Sequence, residues 1–151
     1  MGRVAPDPVA RLRLLDWREA ESLAGPLRLR VFCEEQGVPR DIEIDAQDPR
    51  SLHVVAEDAA GAVIGTARLL PDGHVGRFAV AAACRGRGVG ERLLQALLAE
   101  AARRGHRRTV LHAQVAAEGF YARYGFERTG DVFMEAGIAH TTMARALVQP
   151  G

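Results

Sequence analysis

The chain of 151 residues contains no lysine: its cationic side chains are twenty arginines, with five histidines beside them. A nucleotide P-loop is therefore excluded, because the Gly-Lys step that reaches the terminal phosphates is missing. Cysteine is scarce. Cys33 and Cys84 lie far apart, with neither metal-ligand spacing nor a companion His/Cys cluster, so no disulfide framework and no metal is expected, and a reducing cytoplasm is the simplest setting. Both thiols are expected as small buried apolar residues. No charge of either sign is in surplus. Nineteen acidic residues against twenty basic leave a formal net charge of +1, which gives no electrostatic footprint for nucleic acid. No uncharged run approaches a membrane span, and residues 1–8 lack the apolar core of a signal peptide, so a soluble chain with a flexible start and no membrane partner is expected. At this length residues 1–151 read as one domain, able to bury about two thirds of its unfolded surface.

Glycine is concentrated in one informative place. Residues 75–90 read as an apolar strand, a short connector and the run Arg85-Gly86-Arg87-Gly88-Val89-Gly90, which opens a helix. Glycines at alternate positions remove side chains that would keep backbone N–H groups from an anion, and the helix that follows points its unpaired amides and dipole at the same spot. Arg85 and Arg87 add charge there. Leu93, Leu94, Leu97, Leu98 and Ala101 recur on one face of a 3.6-residue period, Arg103 and Arg104 occupy the last turn, and Gly105 is the stop signal. The dinucleotide fingerprint fits poorly, since Glu91 stands where its third glycine belongs. From this segment alone, an anion seat and a tight turn with no ligand both remain open.

Along the rest of the chain, residues 9–15 alternate apolar and charged side chains through Leu14, as a half-buried first strand does. A helix is expected from Trp17, interrupted at Gly25-Pro26, with a second helix starting at Pro26 and ending at Gly37; Leu23, Leu27, Val31 and Phe32 form the buried side. Asp41, Glu43, Asp45 and Asp48 in the loop 38–50 read either as a solvated face or as an acidic rim that attracts a cationic amine. Residues 51–57 and 62–70 are β-rich runs joined through Asp58-Ala59-Ala60-Gly61 as a hairpin, and Pro71-Asp72-Gly73 turns into a strand at 74–82. A strand at 108–113 must run parallel to 74–82, because a crossover helix joins them. A short helix within 116–126 and a final hairpin, 132–134 with 138–148, turning near Gly137, complete the chain.

Four stretches, in order over residues 10–148, resemble the GNAT superfamily of acyl-CoA-dependent N-acetyltransferases. Arg85 to Gly90 resembles its Arg/Gln-x-x-Gly-x-Gly/Ala pyrophosphate turn, and Phe120-Tyr121-x-x-Tyr124-Gly125-Phe126 resembles its second characteristic motif. Arg28-x-x-Val31-Phe32-x-x-Glu35-Gln36, and the ending Glu135-x-Gly137-Ile138-x-His140 followed by Met143, resemble the ElaA-type subgroup.

That resemblance implies an α/β (α+β) fold: a mixed, mostly antiparallel sheet of six or seven strands flanked by about four helices. Its two central parallel strands, 74–82 and 108–113, would splay to admit a pantetheine arm. It implies acetyl-CoA as acyl donor, no metal, and a primary amine of a small molecule or peptide as acceptor, attacked directly; a homodimer is left open. Carried over by motif, the donor would contact Phe78, Ala79, Val80, Arg85, Gly86, Arg87, Gly88, Val89, Gly90, Tyr121 and Tyr124. The Val80 N–H would face the developing oxyanion, and Tyr121 would protonate the departing thiolate. His112 is the first choice of base, since an imidazole titrates near neutral pH, with Glu35, His53, His140 and relay through water as alternatives. Phe32, Glu35, His53, Gln114 and His140 are the candidate acceptor contacts. Two rival functions stay in view: a non-catalytic acyl-CoA-binding or sensing module, and an acyl-homoserine-lactone synthase, whose chains are longer and lack the compact glycine turn.

Overall fold

The computed structural model describes residues 7–149, so most of the segment expected to be flexible, 1–6, lies outside the described residues. Among the described residues eight strands are seen: β1 Arg11–Leu15, β2 Leu52–Glu57, β3 Val63–Leu69, β4 Val75–Val80, β5 Arg108–Gln114, β6 Glu127–Arg128, β7 Phe133–Glu135 and β8 Ile138–Ala146. The α-helical segments are α1 Trp17–Arg28, α2 Arg40–Glu43, α3 Val89–Arg103 and α4 Glu118–Ala122. The strands form two antiparallel halves, β1-β2-β3-β4 and β5-β8-β6, with β7 paired to β8. The α/β architecture and the parted central pair agree with expectation. The strand count exceeds six or seven because β6 and β7 are two- and three-residue pieces laid beside the long β8.

Among the described residues one parallel bridge, His74 to Val110, joins the halves. Next to it the Thr109 hydroxyl donates to the Gly73 carbonyl at 2.8 Å and closes that end. Beyond it β4 and β5 separate toward their carboxyl ends, which leaves a wedge between the sheets.

Hydrophobic patterning explains the layering. Val54 and Val55 point to opposite faces of β2, and both are fully buried. On one face Val54, Ala56, Ile64, Ala67 and Leu69 meet the predicted stripe of α3, Leu93, Leu94, Leu97, Leu98 and Ala101. On the other, Val55 and Leu15 meet Trp17, Ala20 and Ala24 of α1. A Cβ on Gly65 would lie 2.6 Å from Val89 Cγ1, so this glycine lets β3 approach the start of α3.

The expected helix break at Gly25-Pro26 is absent. Asp16 caps α1 by accepting from the Glu19 N–H at 3.2 Å, and the helix runs through Pro26 to Arg28. Pro26 only withholds one N–H from the turn before it, and Gly25 carries no Cβ to crowd the proline ring. Instead the winding widens afterwards into a π-helical segment, Leu29–Glu35. Such wide turns displace side chains from the regular helical face and recur at functional sites.

Of the four acidic residues in the loop 38–50, Asp41 stays exposed, while Glu43 and Asp48 are buried counter-charges and Asp45 is half-buried beside them. Glu43 is 2% exposed and Asp48 0%. Arg28 donates from Nε to Glu43 Oε1 at 2.9 Å and from Nη1 to Asp48 Oδ1 at 2.7 Å. Arg68 reaches Asp45 at 2.7 Å and Asp48 at 2.9 Å, and Arg77 reaches Asp45 at 3.0 Å and Glu43 at 3.3 Å. Three guanidinium groups thus neutralise three carboxylates. The carboxylates differ in response. Burial pushes Glu43 above its ordinary range despite its arginines, whereas for Asp48 the burial penalty is outweighed by the hydrogen bond and charge of Arg28, and its carboxyl is held low.

Candidate active site

The wedge forms a cavity of about 1080 Å³. Its walls come from β4, the π-helical segment, the loop into α3, β5, α4 and the β7–β8 hairpin.

At one end lies the glycine run. Gly86 and Gly88 have left-handed φ angles of 75° and 86°, and a Cβ on either would project into open space with no atom within 4 Å. Gly88 caps α3, whose first turn offers unpaired N–H groups to the cavity. An anion cradle is the arrangement these features fit. Arg85 Nε donates to the Val80 carbonyl at 3.0 Å while Nη1 and Nη2 hold Glu35 at 2.8 and 3.0 Å, which ties the turn to the π-helical segment. Gly86, Gly88, Val89 and Gly90 line the cavity; Arg87 does not.

On the floor, Phe78 and Val80 face inward while Ala79 packs away against Leu27 and Val31. This orientation follows a bulge. Thr66 pairs with Ala79 but Arg68 with Gly76, so β4 carries one residue more than β3 between these pairs. Arg77 sits in the bulge at φ 53°, a conformation costly for a side chain with a Cβ. Its guanidinium is anchored by the Glu43 and Ile42 carbonyls, each at 3.2 Å, beside the ion pairs already given.

Tyr121 stands where the walls meet, ringed edge-on by Phe78 at 5.7 Å, Phe120 at 5.1 Å and Phe126 at 5.9 Å. Burial pushes its phenol well above the ordinary tyrosine range, so the proton stays on the oxygen. Tyr124 lines the cavity toward the glycine run, its phenol raised by burial and then by its hydrogen bond to Glu91. Phe120 reaches 3.4 Å from where a Cβ on Gly90 would be, so α4 docks on the start of α3.

The far wall is assembled by strand register. His112 pairs with Thr142 and Gln114 with His140 across β5–β8, while Phe133 pairs with His140 and Glu135 with Ile138 across β7–β8. Period-two alternation therefore puts His112, Gln114, Phe133, Glu135 and His140 on one face. Glu135 lies 3.5 Å from His112 Nδ1 and 3.6 Å from His140 Nε2. Gln114 donates to Gln36 Oε1 at 2.8 Å, a bond that crosses the cavity to the residue after the π-helical segment.

The structure thus brings Phe32, Gln114, His112 and His140 together in one cavity. Two expected acceptor contacts are elsewhere. His53 is 0% exposed, its Nε2 3.0 Å from the Asp48 carbonyl and its ring 4.8 Å from Trp17, because an inward position on the central β2 directs it under the ion network. Glu35 does not line the cavity; the hydrogen bond from Arg85 lowers its carboxyl and occupies it. The thiols also depart from expectation. Both are half-buried, and Cys84 lines the cavity. Sequence reasoning overlooked Arg77 and the position of Glu135. The signal for Glu135 was the Ala136-Gly137 turn, whose positive φ angles of 51° and 78° fix a two-residue hairpin and hence the shared face.

The family model described as an acetyltransferase (GNAT) domain matches residues 19–147. A curated relative, the uncharacterized N-acetyltransferase YjcF of Bacillus subtilis, is 34% identical over 122 residues, covering 79% of this chain and 87% of its own. Among solved structures, an acyl-CoA N-acyltransferase from Pseudomonas aeruginosa superposes with a TM-score of 0.80 at 29% identity, over 90% of this chain and 99% of that one. Escherichia coli ElaA gives 0.79 at 27% identity, over 89% and 98%.

Proposed function

The chain belongs to the GNAT acetyltransferase family, and from that premise we propose that it transfers an acetyl group from acetyl-CoA to a primary amine of a small molecule or peptide by direct attack. The observation that carries this reading is the wedge itself. An anion cradle at Gly86 to Gly90 opens one end, a buried phenol stands in the middle, and a histidine-bearing wall closes the other. Residues 1–151 act here as one acyltransferase domain.

In this scheme the glycine run and the start of α3 hold the pyrophosphate, and Phe78, Val80 and Tyr124 flank the pantetheine, while Ala79, expected beside them, faces away from the cavity. His112 takes a proton from the acceptor's ammonium, and the neutral nitrogen adds to the thioester carbon. The Val80 N–H meets the charge that develops on oxygen. The carbon–sulfur bond then breaks, Tyr121 gives its proton to the thiolate, and the second nitrogen proton restores the phenol. The reaction needs no metal, because the thioester is already activated and positioning supplies much of the rate.

Thiol release from acetyl-CoA across a panel of amines tests the proposal. Tyr121→Phe should lower kcat by about a hundredfold, the weight of a general acid, with acetyl-CoA affinity unchanged. Full activity in that variant removes Tyr121 from the acid role. Tight acetyl-CoA binding with no thiol released from any amine favours the binding-module reading instead.

A further inference from the structure

The far wall carries a polar arrangement that acetyl transfer alone does not explain. His140 Nδ1 lies 2.7 Å from the Ile138 carbonyl, which only accepts, so the ring proton belongs on Nδ1. Its Nε2 is then an acceptor, and it faces another acceptor, Glu135 Oε2, at 3.6 Å. Two acceptors held side by side on the cavity wall call for a donor that reaches both from the cavity. Phe133, stacked on His140 at 5.9 Å and edge-on to His112 at 5.1 Å, keeps both imidazoles in place.

Charge accounting narrows the donor. Among the described residues Glu135 is faced by the imidazoles of His112 and His140 and by no arginine, so with the rings neutral its negative charge is not cancelled. On the facing wall the reverse holds: Arg68 and Arg77 line the cavity, yet both are matched by Glu43, Asp45 and Asp48. Among the described residues this end of the cavity therefore offers an ammonium an unmatched carboxylate, while the guanidiniums lining it, Arg68 and Arg77, are matched; Arg123 lines the cavity over Phe120 of α4. Between these walls Val38, Ile42, Leu70 and Ile138 supply apolar surface, with Ile42 unusually exposed for an isoleucine.

We propose that Glu135, with His140 and His112 beside it, seats the acceptor's ammonium group, and that the acceptor is an alkyl- or arylalkylamine with no acidic group next to its nitrogen. The substrate class rests on the acetyl-transfer reading above; the seat itself rests on geometry. A free α-amino acid would bring its carboxylate against Glu135, where like charges repel.

The test follows the imidazole resonances of His140 and His112 by nitrogen-15 NMR while phenethylamine or phenylalanine is titrated into the wild-type protein and into Glu135→Gln. Phenethylamine should perturb His140 and bind at least about tenfold tighter than phenylalanine, and Glu135→Gln should weaken it by about tenfold, the worth of one charge-assisted hydrogen bond. Equal binding of the two ligands, unchanged affinity in Glu135→Gln, or an unmoved His140 resonance overturns the seat. Acetyl-CoA binding is measured separately by calorimetry. Failure of acetyl-CoA to bind while the amine preference persists sinks the donor reading and leaves the seat standing; thiol release that proceeds without the preference sinks the seat alone.

Discussion

At the scale of single residues, the informative positions are those where a side chain is forced into an unusual state. His53 is one. Burial lowers its affinity for a proton, the Asp48 carbonyl takes its Nε2–H, and its buried Nδ1 has no partner. The unfolded chain binds that proton more readily, so the neutral ring contributes stability above the ordinary imidazole pKa, lost as pH falls toward the depressed folded value. Denaturant titrations between pH 7.5 and 5.5 should show stability declining with acid by up to about 1.4 kcal/mol per pH unit from this group, and His53→Gln should flatten that slope. An unchanged slope would assign the acid sensitivity elsewhere. Gly88 is the second such residue. At φ 86° with open space before it, Gly88→Val adds both backbone strain of about 1 to 2 kcal/mol and a side chain inside the cradle. Acetyl-CoA affinity, read by calorimetry, should fall by at least about a hundredfold, the equivalent of two lost backbone-to-phosphate hydrogen bonds. Unchanged affinity would move the pyrophosphate away from this turn.

At the scale of elements, the bulge in β4 depends on contacts from outside the strand. Arg77 holds its left-handed conformation because Glu43 and Asp45 in the loop 38–50 grip its guanidinium, and the same carboxylates grip Arg28 of α1 and Arg68 of β3. One network thus fixes a helix, two strands and a loop, and it decides that Phe78 and Val80 face the cavity. Arg77→Leu leaves Glu43 buried beside one cation fewer and should cost about 3 to 5 kcal/mol in urea unfolding at pH 7. Adding Glu43→Gln should return part of that loss, since the uncompensated charge is gone. Equal stability of wild type and Arg77→Leu would show that the bulge is held by the sheet alone.

At the scale of the whole molecule, the two sheets share one parallel bridge, the packing around α3 and a few side-chain ties across the wedge, among them Gln114 to Gln36. A ligand lodged between them adds contacts to both halves and should stabilise the native state by mass action. Acetyl-CoA at a hundred times its Kd should raise unfolding stability by about 2.7 kcal/mol, seen as a higher Tm, and Gly88→Val should gain no more than about 0.4 kcal/mol at the same concentration. A wild-type Tm indifferent to acetyl-CoA would contradict binding in the wedge. The solved structures from Pseudomonas aeruginosa and Escherichia coli superpose over 90% and 89% of the chain, so the fold at this scale is common to them.

The sequence by itself determined whatever depends on short spacing. The stripe Leu93 to Ala101, the glycine cradle at 86–90 and the turn at Ala136-Gly137 are local, because backbone φ preferences and helical period act over a few residues. The four motifs in order were also enough to name the family. Charge near the loop 38–50 was misleading for the opposite reason: Glu43 and Asp48 look solvated until Arg28, Arg68 and Arg77 arrive from distant parts of the chain. Gly25-Pro26 read as a break because local propensity favours one there, and packing of α1 on β2 overrode it. Only the tertiary structure could show that His53 lies beneath that network while Glu135 stands between His112 and His140. Register between β5, β7 and β8 decides which side chains share a wall, and register is set by hydrogen bonds between residues far apart in sequence.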